Sequence, residues 1–358
     1  MPNWQATDIA DLVVATQEER YEDRIVELAT DLQEHVAMAQ LSKQNKITHQ
    51  GGTKLKFYLM DTFIDSAEDV GLYNVVTAAT GDVLSYGEAP WRWTQVNFAL
   101  DEREEALNSG DKVKVLDFVK SKRLSMNIAR AAHFEKRFWA HPSSSTNTTQ
   151  PWGIDSHVTY PATFSAAGFV GVNPPGWASG CGVDSDEHAR WANWYNQYTA
   201  IEQDDFVDKA CRLMYKTAFK SPVPNPDIAD LIGAPKRAIY TCYDVVEQIR
   251  HLQRSQNDNI GSDIAAYFNM AILNGIPMQS VPYLDADNDT KSDMAQYDPA
   301  YFIDWSTMEF AFQAGYDEEV KVIPGSNQPH VYITVITDSW NLICKNKRRN
   351  GLLTTAIA

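Results

Sequence analysis

At 358 residues the chain is too long for one small core, and its 44% hydrophobic and 11% aromatic content gives two or three lobes ample apolar sequence to bury. A formal net charge of -16 argues against a free nucleic-acid binder, whose exposed face needs an excess of Lys and Arg, but not against a protein that merely encloses DNA. Met1 to Asp8 lacks the basic and apolar parts of a signal peptide and no run approaches the ~20 apolar residues of a membrane span, so a cytosol-like compartment, or export by assembly, is expected.

Thr16-Gln17-Glu18-Glu19 is a capping box, and Tyr21, Ile25, Leu28, Leu32, Val36 and Ala39 give a helix to about Ser42 one apolar stripe. Its remaining surface is acidic, with seven carboxylates between residues 18 and 34 against Arg20 and Arg24. After Gln50-Gly51-Gly52 the period changes to two. Leu55, Phe57 and Leu59 alternate with Lys54, Lys56 and Tyr58, and Trp91, Trp93 and Gln95 alternate with Arg92, Thr94 and Val96. Residues 53 to 98 therefore read as a long two-stranded projection, which is marginal alone in water and needs its own body or a neighbour to lean on.

A short capped helix is expected from Asp101 to Ser109, ending at Gly110, and a long one from Asp111 to His141, stopped by Pro142. At 1.5 Å per residue the second is a rod of roughly 45 Å. Eight basic residues, Arg123 and Arg130 among them, face three acidic ones on it, opposite in sign to the first helix. The two helices are therefore expected to pair within or between subunits. Residues 142 to 150 read as a loop, and the Gly, Pro and Trp-rich region to Gly182 as irregular β structure. A helix is expected over Gln203 to Phe219, a boundary at Pro222, Pro224 and Pro226, a strand at Arg237 to Thr241 and a helix from Tyr243 to Gln253. Gly275 to Asp285, pinned by Pro277 and Pro282, reads as an edge or bulged strand. The chain then passes Tyr301 to Trp305 and His330 to Thr337 and closes on Asn341 to Gly351, an ending suited to being tucked in and paired.

Chemical motifs are weak. Asp285-Ala286-Asp287-Asn288-Asp289 begins like a calcium loop but has Thr290 where Gly is needed and Gln296 where a bidentate Glu is needed, so a solvated turn is the better reading. Cys181 with His157 or His188 could be imagined as nucleophile and base, yet Gly180-Cys181-Gly182 matches no catalytic signature. The irregular spacing of Cys181, Cys211, Cys242 and Cys344 excludes a CxxC zinc pair and points to buried thiols. No Walker A, GxGxxG after a strand, HExxH or GxSxG occurs, so no enzyme, cofactor or metal is expected. Lys345, Lys347, Arg348 and Arg349 read as an interface or solvated edge before a nucleic-acid contact.

This order of parts resembles the major capsid protein of tailed bacteriophages with the HK97 fold. The resemblance implies an α+β chain with residues 1–50 as N-terminal arm, 51–98 as an extended β-hairpin E-loop and 99–226 as a peripheral domain with a spine helix at 111–141. It further implies an axial domain at 227–325 and a return to the peripheral domain at 326–358, with 143–200 fitting least well and read as an insertion. The implied function is self-assembly, through hexamers and pentamers, into an icosahedral virion shell in the host cytoplasm. Such a shell encloses double-stranded DNA without specific binding, uses scaffolding, portal and decoration proteins, and touches no membrane. Lys54, Lys56, Trp91, Arg92, Trp93, Arg123, Arg130, Arg348 and Arg349 are the candidate inter-subunit contacts. Some members of the family crosslink the E-loop through a Lys to Asn bond, but no spacing here identifies the Asn partner. A carbohydrate-binding or hydrolytic protein is the alternative, motivated by ten Trp and abundant carboxylates, which would flank a Trp-lined cleft ~5 to 9.5 Å apart.

Overall fold

Alternating apolar residues in the second half of the chain build two sheets that share one aromatic core. The computed structural model describes residues 35, 37, 46–60, 62, 64, 66–72, 75, 81, 83–107, 112–161, 166–219, 236–256, 270–288, 292–324 and 330–355. The expected acidic helix lies outside these apart from residues 35 and 37, and so does the proline boundary at 222–226.

In chain order the strands are β1 (Lys46–His49), β2 (Lys54–Leu59), β3 (Ser85–Pro90) and β4 (Arg92–Asp101), followed by helices α1 (Glu102–Leu107) and α2 (Lys112–Phe138). Next come β5 (Gly168–Gly171), β6 (Asn193–Tyr198), α3 (Asp208–Lys216), β7 (Arg237–Thr241), α4 (Tyr243–Gln256), β8 (Met270–Leu273) and β9 (Ile276–Ser280). The last are β10 (Ala300–Asp304), β11 (Met308–Gln313), β12 (Glu319–Pro324), β13 (Val331–Cys344) and β14 (Gly351–Thr355). Asp101 caps α1 by accepting the Arg103 N–H at 2.8 Å.

β13 organises the first sheet. One of its edges pairs with β4 from Val331 to Trp340, and the other pairs with β11 and then β12, with β1 added in parallel beyond β11. β11 and β12 run the same way along β13, separated by a bend that carries positive φ at Gly315 and Glu318. Arg130 of α2 secures that bend. Its guanidinium donates to both carboxylate oxygens of Asp338, at 2.6 and 2.8 Å, and to Glu318 at 2.6 Å.

The second sheet has seven strands in the order β5-β6-β14-β10-β7-β9-β8. It alternates strictly: Tyr195, Tyr240, Tyr301, Ile303 and Leu352 face the core shared with α2, while Trp194, Ile239, Phe302 and Leu353 face α3 and α4. α2 joins the sheets through its C-terminal end. Phe134 stacks on Trp340 at 4.2 Å, Phe138 meets both Phe310 and Trp305, and Trp139 meets Tyr240 and Tyr301. Gly153 then crosses the helix end, where a Cβ would lie 2.0 Å from the Ala140 carbonyl oxygen, so only glycine allows that approach.

Two expectations are corrected here. The strand Trp91 to Val96 does not pair with Leu55 to Leu59: β2 pairs with β3, and β4 belongs to the sheet of β13. Gly275 to Asp285 is not an edge, because β9 lies between β7 and β8. Asn274 and Gly275, with φ of 48 and 77, make the two-residue turn of a β8–β9 hairpin. Pro277 follows the Leu273–Ile276 pair that closes this turn and precedes the β7 ladder at Met278, so its missing N–H breaks no pairing. Residues 143–200, read as an insertion, supply β5 and β6 to the seven-stranded sheet.

Asp338 is 5% exposed, so removing its cation leaves a buried charge. Arg130→Ala is expected to destabilise the chain by about 3 to 5 kcal/mol in urea unfolding, with Arg130→Ala/Asp338→Ala recovering part of that loss. An equal loss in the single and double variants would show that the pair is not what holds the bend.

Candidate functional site

The β2–β3 hairpin is a ribbon with two unlike faces. Its inner face carries Leu55, Phe57, Leu59 and Ala89, packed on Trp152, Trp177, Trp191, Cys181 and Val183. The Phe57 ring covers Gly87 across the strands, where a Cβ would lie 2.3 Å from Cζ, so the glycine makes room for the ring. The hairpin thus leans on its own body, and the body it leans on is the Trp-rich stretch of 143–200.

That platform is itself a small turn. Gly180 and Val183 exchange backbone hydrogen bonds at 3.0 and 3.1 Å around Cys181 and Gly182, whose φ values of 56 and 74 fit a primed hairpin turn. The Glu88 N–H of β3 donates to the Cys181 carbonyl at 2.8 Å, which stitches the hairpin to the turn. Below it, His157 Nε2 lies 3.0 Å from the Leu342 carbonyl, so that nitrogen carries the proton and Nδ1 accepts from the Cys181 thiol at 3.3 Å.

The sequence had suggested this cysteine and histidine as a nucleophile and base, and the geometry does bring them together. Their electrostatics point the other way. Burial, then nearby Lys347, pushes His157 down to about 3, and burial pushes the Cys181 thiol up to about 12 against a smaller pull from Lys347. Both groups are neutral, so the pair holds the turn and offers no thiolate.

The outer face of the hairpin is open. The cross-strand pair Tyr58 and Tyr86 is 82% and 55% exposed, and Met60, Leu72, Val75 and Leu84 are exposed beyond the strands. Apolar groups presented together along one segment mark a contact surface.

The remaining candidate contacts divide by exposure. Lys54 pairs with Glu88, and Lys56 lies over the Tyr86 ring at 5.0 Å, both on the outer face. Trp93 is half exposed, edge-on to Tyr316 at 4.8 Å, and Arg123 is exposed on α2. Trp91 is partly buried and donates from its indole to the Gly52 carbonyl at 3.0 Å. Arg92 donates to the carbonyls of Thr148 and Asn147, fixing the 142–150 loop.

Arg130, Arg348 and Arg349 are engaged within the chain. Arg130 is held at the β11–β12 bend, and Arg349, 6% exposed, pairs with the buried Asp304 at 2.9 Å. Arg348 lies over Phe169 and Phe219 of its own chain, at 4.9 and 4.3 Å. Lys347 is buried beside Trp191, so Lys347 and Arg349 of the basic run are interior while Lys345 and Arg348 are half-buried. Asp285 accepts the Tyr243 N–H at the start of α4, and no group of three or more His, Cys, Asp or Glu is placed to hold a metal among the described residues.

No protein-family model matches the sequence, and no curated protein matches it. Solved structures match nearly end to end. A cyanophage A-1(L) capsid asymmetric unit aligns over 93% of this chain and 96% of that chain, at 14% identity and a TM-score of 0.61. The chain has the fold of phage capsid proteins. The capsids of empty and native GTA particles agree, each over 95% of both chains, at 13% and 14% identity and TM-scores of 0.57 and 0.55. This capsid fold is a mixed α+β one, as the sequence implied.

A thiol reagent at pH 8 is expected to label the partly exposed Cys211 at least ~10-fold faster than the buried Cys181, Cys242 and Cys344, with all four reacting in urea. Rapid labelling of Cys181 in the folded chain would revive the nucleophile reading.

Proposed function

We propose that this chain is a major capsid protein that assembles with copies of itself into the icosahedral shell of a tailed bacteriophage. The observation that carries the reading is the match over more than nine-tenths of the chain to subunits of capsid assemblies. The exposed apolar groups on the hairpin and beyond it support it, because a thin wall orders its projections by burying them on neighbours.

In this reading β2, β3 and residues 60–84 are the E-loop, α2 is the spine helix, and the sheet of β13 is the peripheral domain. The seven-stranded sheet with α3 and α4 is the axial domain, which moves β11 and β12 to the peripheral side and brings 168–198 into the axial side. Hexamers and pentamers are the assembly units, with scaffolding, portal and decoration proteins as further partners. The net charge of -16 suits a wall that encloses double-stranded DNA without adhering to it. The wall is assembled in the host cytoplasm and ends in the virion.

The sugar-binding alternative loses its motivation. Trp91, Trp152, Trp177 and Trp191 pack under the hairpin. A cavity of about 10 Å³ bordered by Met214, Arg237, Ile276, Phe302 and Arg349 has room for about one water and carries neither Trp nor carboxylate.

Negative-stain electron microscopy and solution mass of the purified protein test the proposal. Closed shells or rings of five and six are expected, and Tyr58→Asp/Leu72→Asp is expected to cut assembled mass at least ~10-fold while leaving the melting temperature of the subunit unchanged. A wild-type chain that stays monomeric with and without co-expressed phage structural proteins would sink it.

A further inference from the structure

A buried carboxyl group sits where the long helix hands the chain over to the seven-stranded sheet. Asp155 lies in the 3-10 turn Ile154–Ser156 that follows Gly153, is 6% exposed, and accepts a hydrogen bond from the hydroxyl of Tyr301, the second residue of β10. Tyr301 is fully buried and packs on Trp139 at 5.9 Å. The pair therefore ties the segment leaving α2 to the centre of the sheet.

The groups acting on Asp155 come from every element around it. They are Tyr301 on β10, His141 at the helix exit and Asp293 in the segment before β10, with Tyr160 beside them and Tyr195 of β6 and Tyr297 next to Tyr160. Only His141 among these can carry a positive charge. Burial pushes the Asp155 carboxyl up to about 7, Asp293 adds to that push, and the Tyr301 hydrogen bond and His141 oppose it. Burial and the neighbouring Asp155 also raise Tyr301, which stays a proton donor at neutral pH.

We propose that Asp155 and Tyr301 form a proton-operated joint between the end of the long helix and the seven-stranded sheet, closed while the carboxyl is neutral and loosened when it ionises. An ionised Asp155 would be a buried charge with Tyr301 as its one hydrogen-bond donor and no Lys or Arg acting on it among the described residues, a cost that the buried 3-10 turn relieves only by opening toward water. The joint lies within one subunit and holds whether or not the chain builds a shell.

The unfolded chain releases this proton near the ordinary value of 3.8, and the folded chain keeps it to about 7. The stabilisation is therefore full below about 3.8 and is lost as pH rises to about 7, with the unfolding constant growing up to ~10-fold per pH unit across that window. Asp155→Asn keeps an acceptor for Tyr301 and cannot ionise.

Urea unfolding and hydrogen exchange from pH 5 to 8.5 are the test. The expected result is a steeper loss of stability in the wild type than in Asp155→Asn below pH 7, with faster exchange in peptides covering residues 150–161 and 296–304 of the wild type alone. The same pH dependence in both proteins overturns the proposal. If the variant does not fold, the carboxyl carbon of Asp155 in the wild type decides by NMR titration: a midpoint near 7 supports the joint, and one near 4 overturns it.

Discussion

The aromatic end of the long helix is the contact on which the two sheets depend. Phe134, Phe138 and Trp139 occupy barely more than one turn, yet between them they touch Trp340 and Phe310 of one sheet and Tyr240 and Tyr301 of the other, with Trp305 at the junction. Aromatic pairs at 4.2 to 6 Å add about 0.5 to 1.5 kcal/mol each to the burial of their own area, so this small set outweighs any comparable group of surface contacts. Before Phe134 the only buried apolar residue on the described part of α2 is Met126. The helix is thus anchored at its C-terminal end, and between residues 119 and 133 half-buried positions alternate with exposed ones.

Burial of polar groups follows from the same architecture. A chain that crosses between two sheets must pass backbone through the interior, and each crossing needs partners for its donors and acceptors. Asn350 supplies them at one crossing, its side chain accepting the Asp304 N–H at 2.8 Å and donating to Thr307 and the Asn346 carbonyl. Asn193 does so at another, accepting the Thr159 N–H and donating to the Thr159 carbonyl, both at 2.9 Å. Glu135 holds the N-terminal segment in the same way, accepting the Ala37 N–H at 2.8 Å and the Trp139 indole at 2.7 Å. These are positioning groups, and their residue types would suggest catalysis only if their burial and partners were ignored.

The elements that could be read from the sequence are those whose signal is local. α2, α4 and β7 carry clear local signals, and all three lie where the sequence placed them. β3 was hidden because Ser85–Pro90 is rich in Gly, Ala and Pro, and its strand character comes from the Phe57 ring and the Cys181 carbonyl opposite it. The partner of β4 could not be read either, because Trp93 pairs with Ser339 across some 250 residues and nothing local specifies that register. Asn274-Gly275 was a legible hairpin turn that Pro277 within β9 and Pro282 after it obscured. Arg130 and Arg349 were misplaced for a different reason: an arginine in sequence looks solvated, and only the three-dimensional neighbourhood shows Asp338 and Asp304 waiting for it.

That misplacement bears on how copies of the chain can hold together. At a net charge of -16 each, two subunits repel at distances up to the Debye length, about 8 Å at physiological salt. The buried arginines are unavailable to offset this, and exposed ion pairs are each worth at most about 1 kcal/mol. If copies assemble as proposed, short-range apolar burial, at about 1.5 to 3 kcal/mol for each large side chain covered, is the attraction that can oppose this repulsion. Tyr58, Leu72, Val75 and Leu84 are more than half exposed, so nearly that full gain is still to be made at each. In the proposed shell such contacts would be weak singly and repeat with every copy, which suits a closed array of many subunits better than an isolated pair.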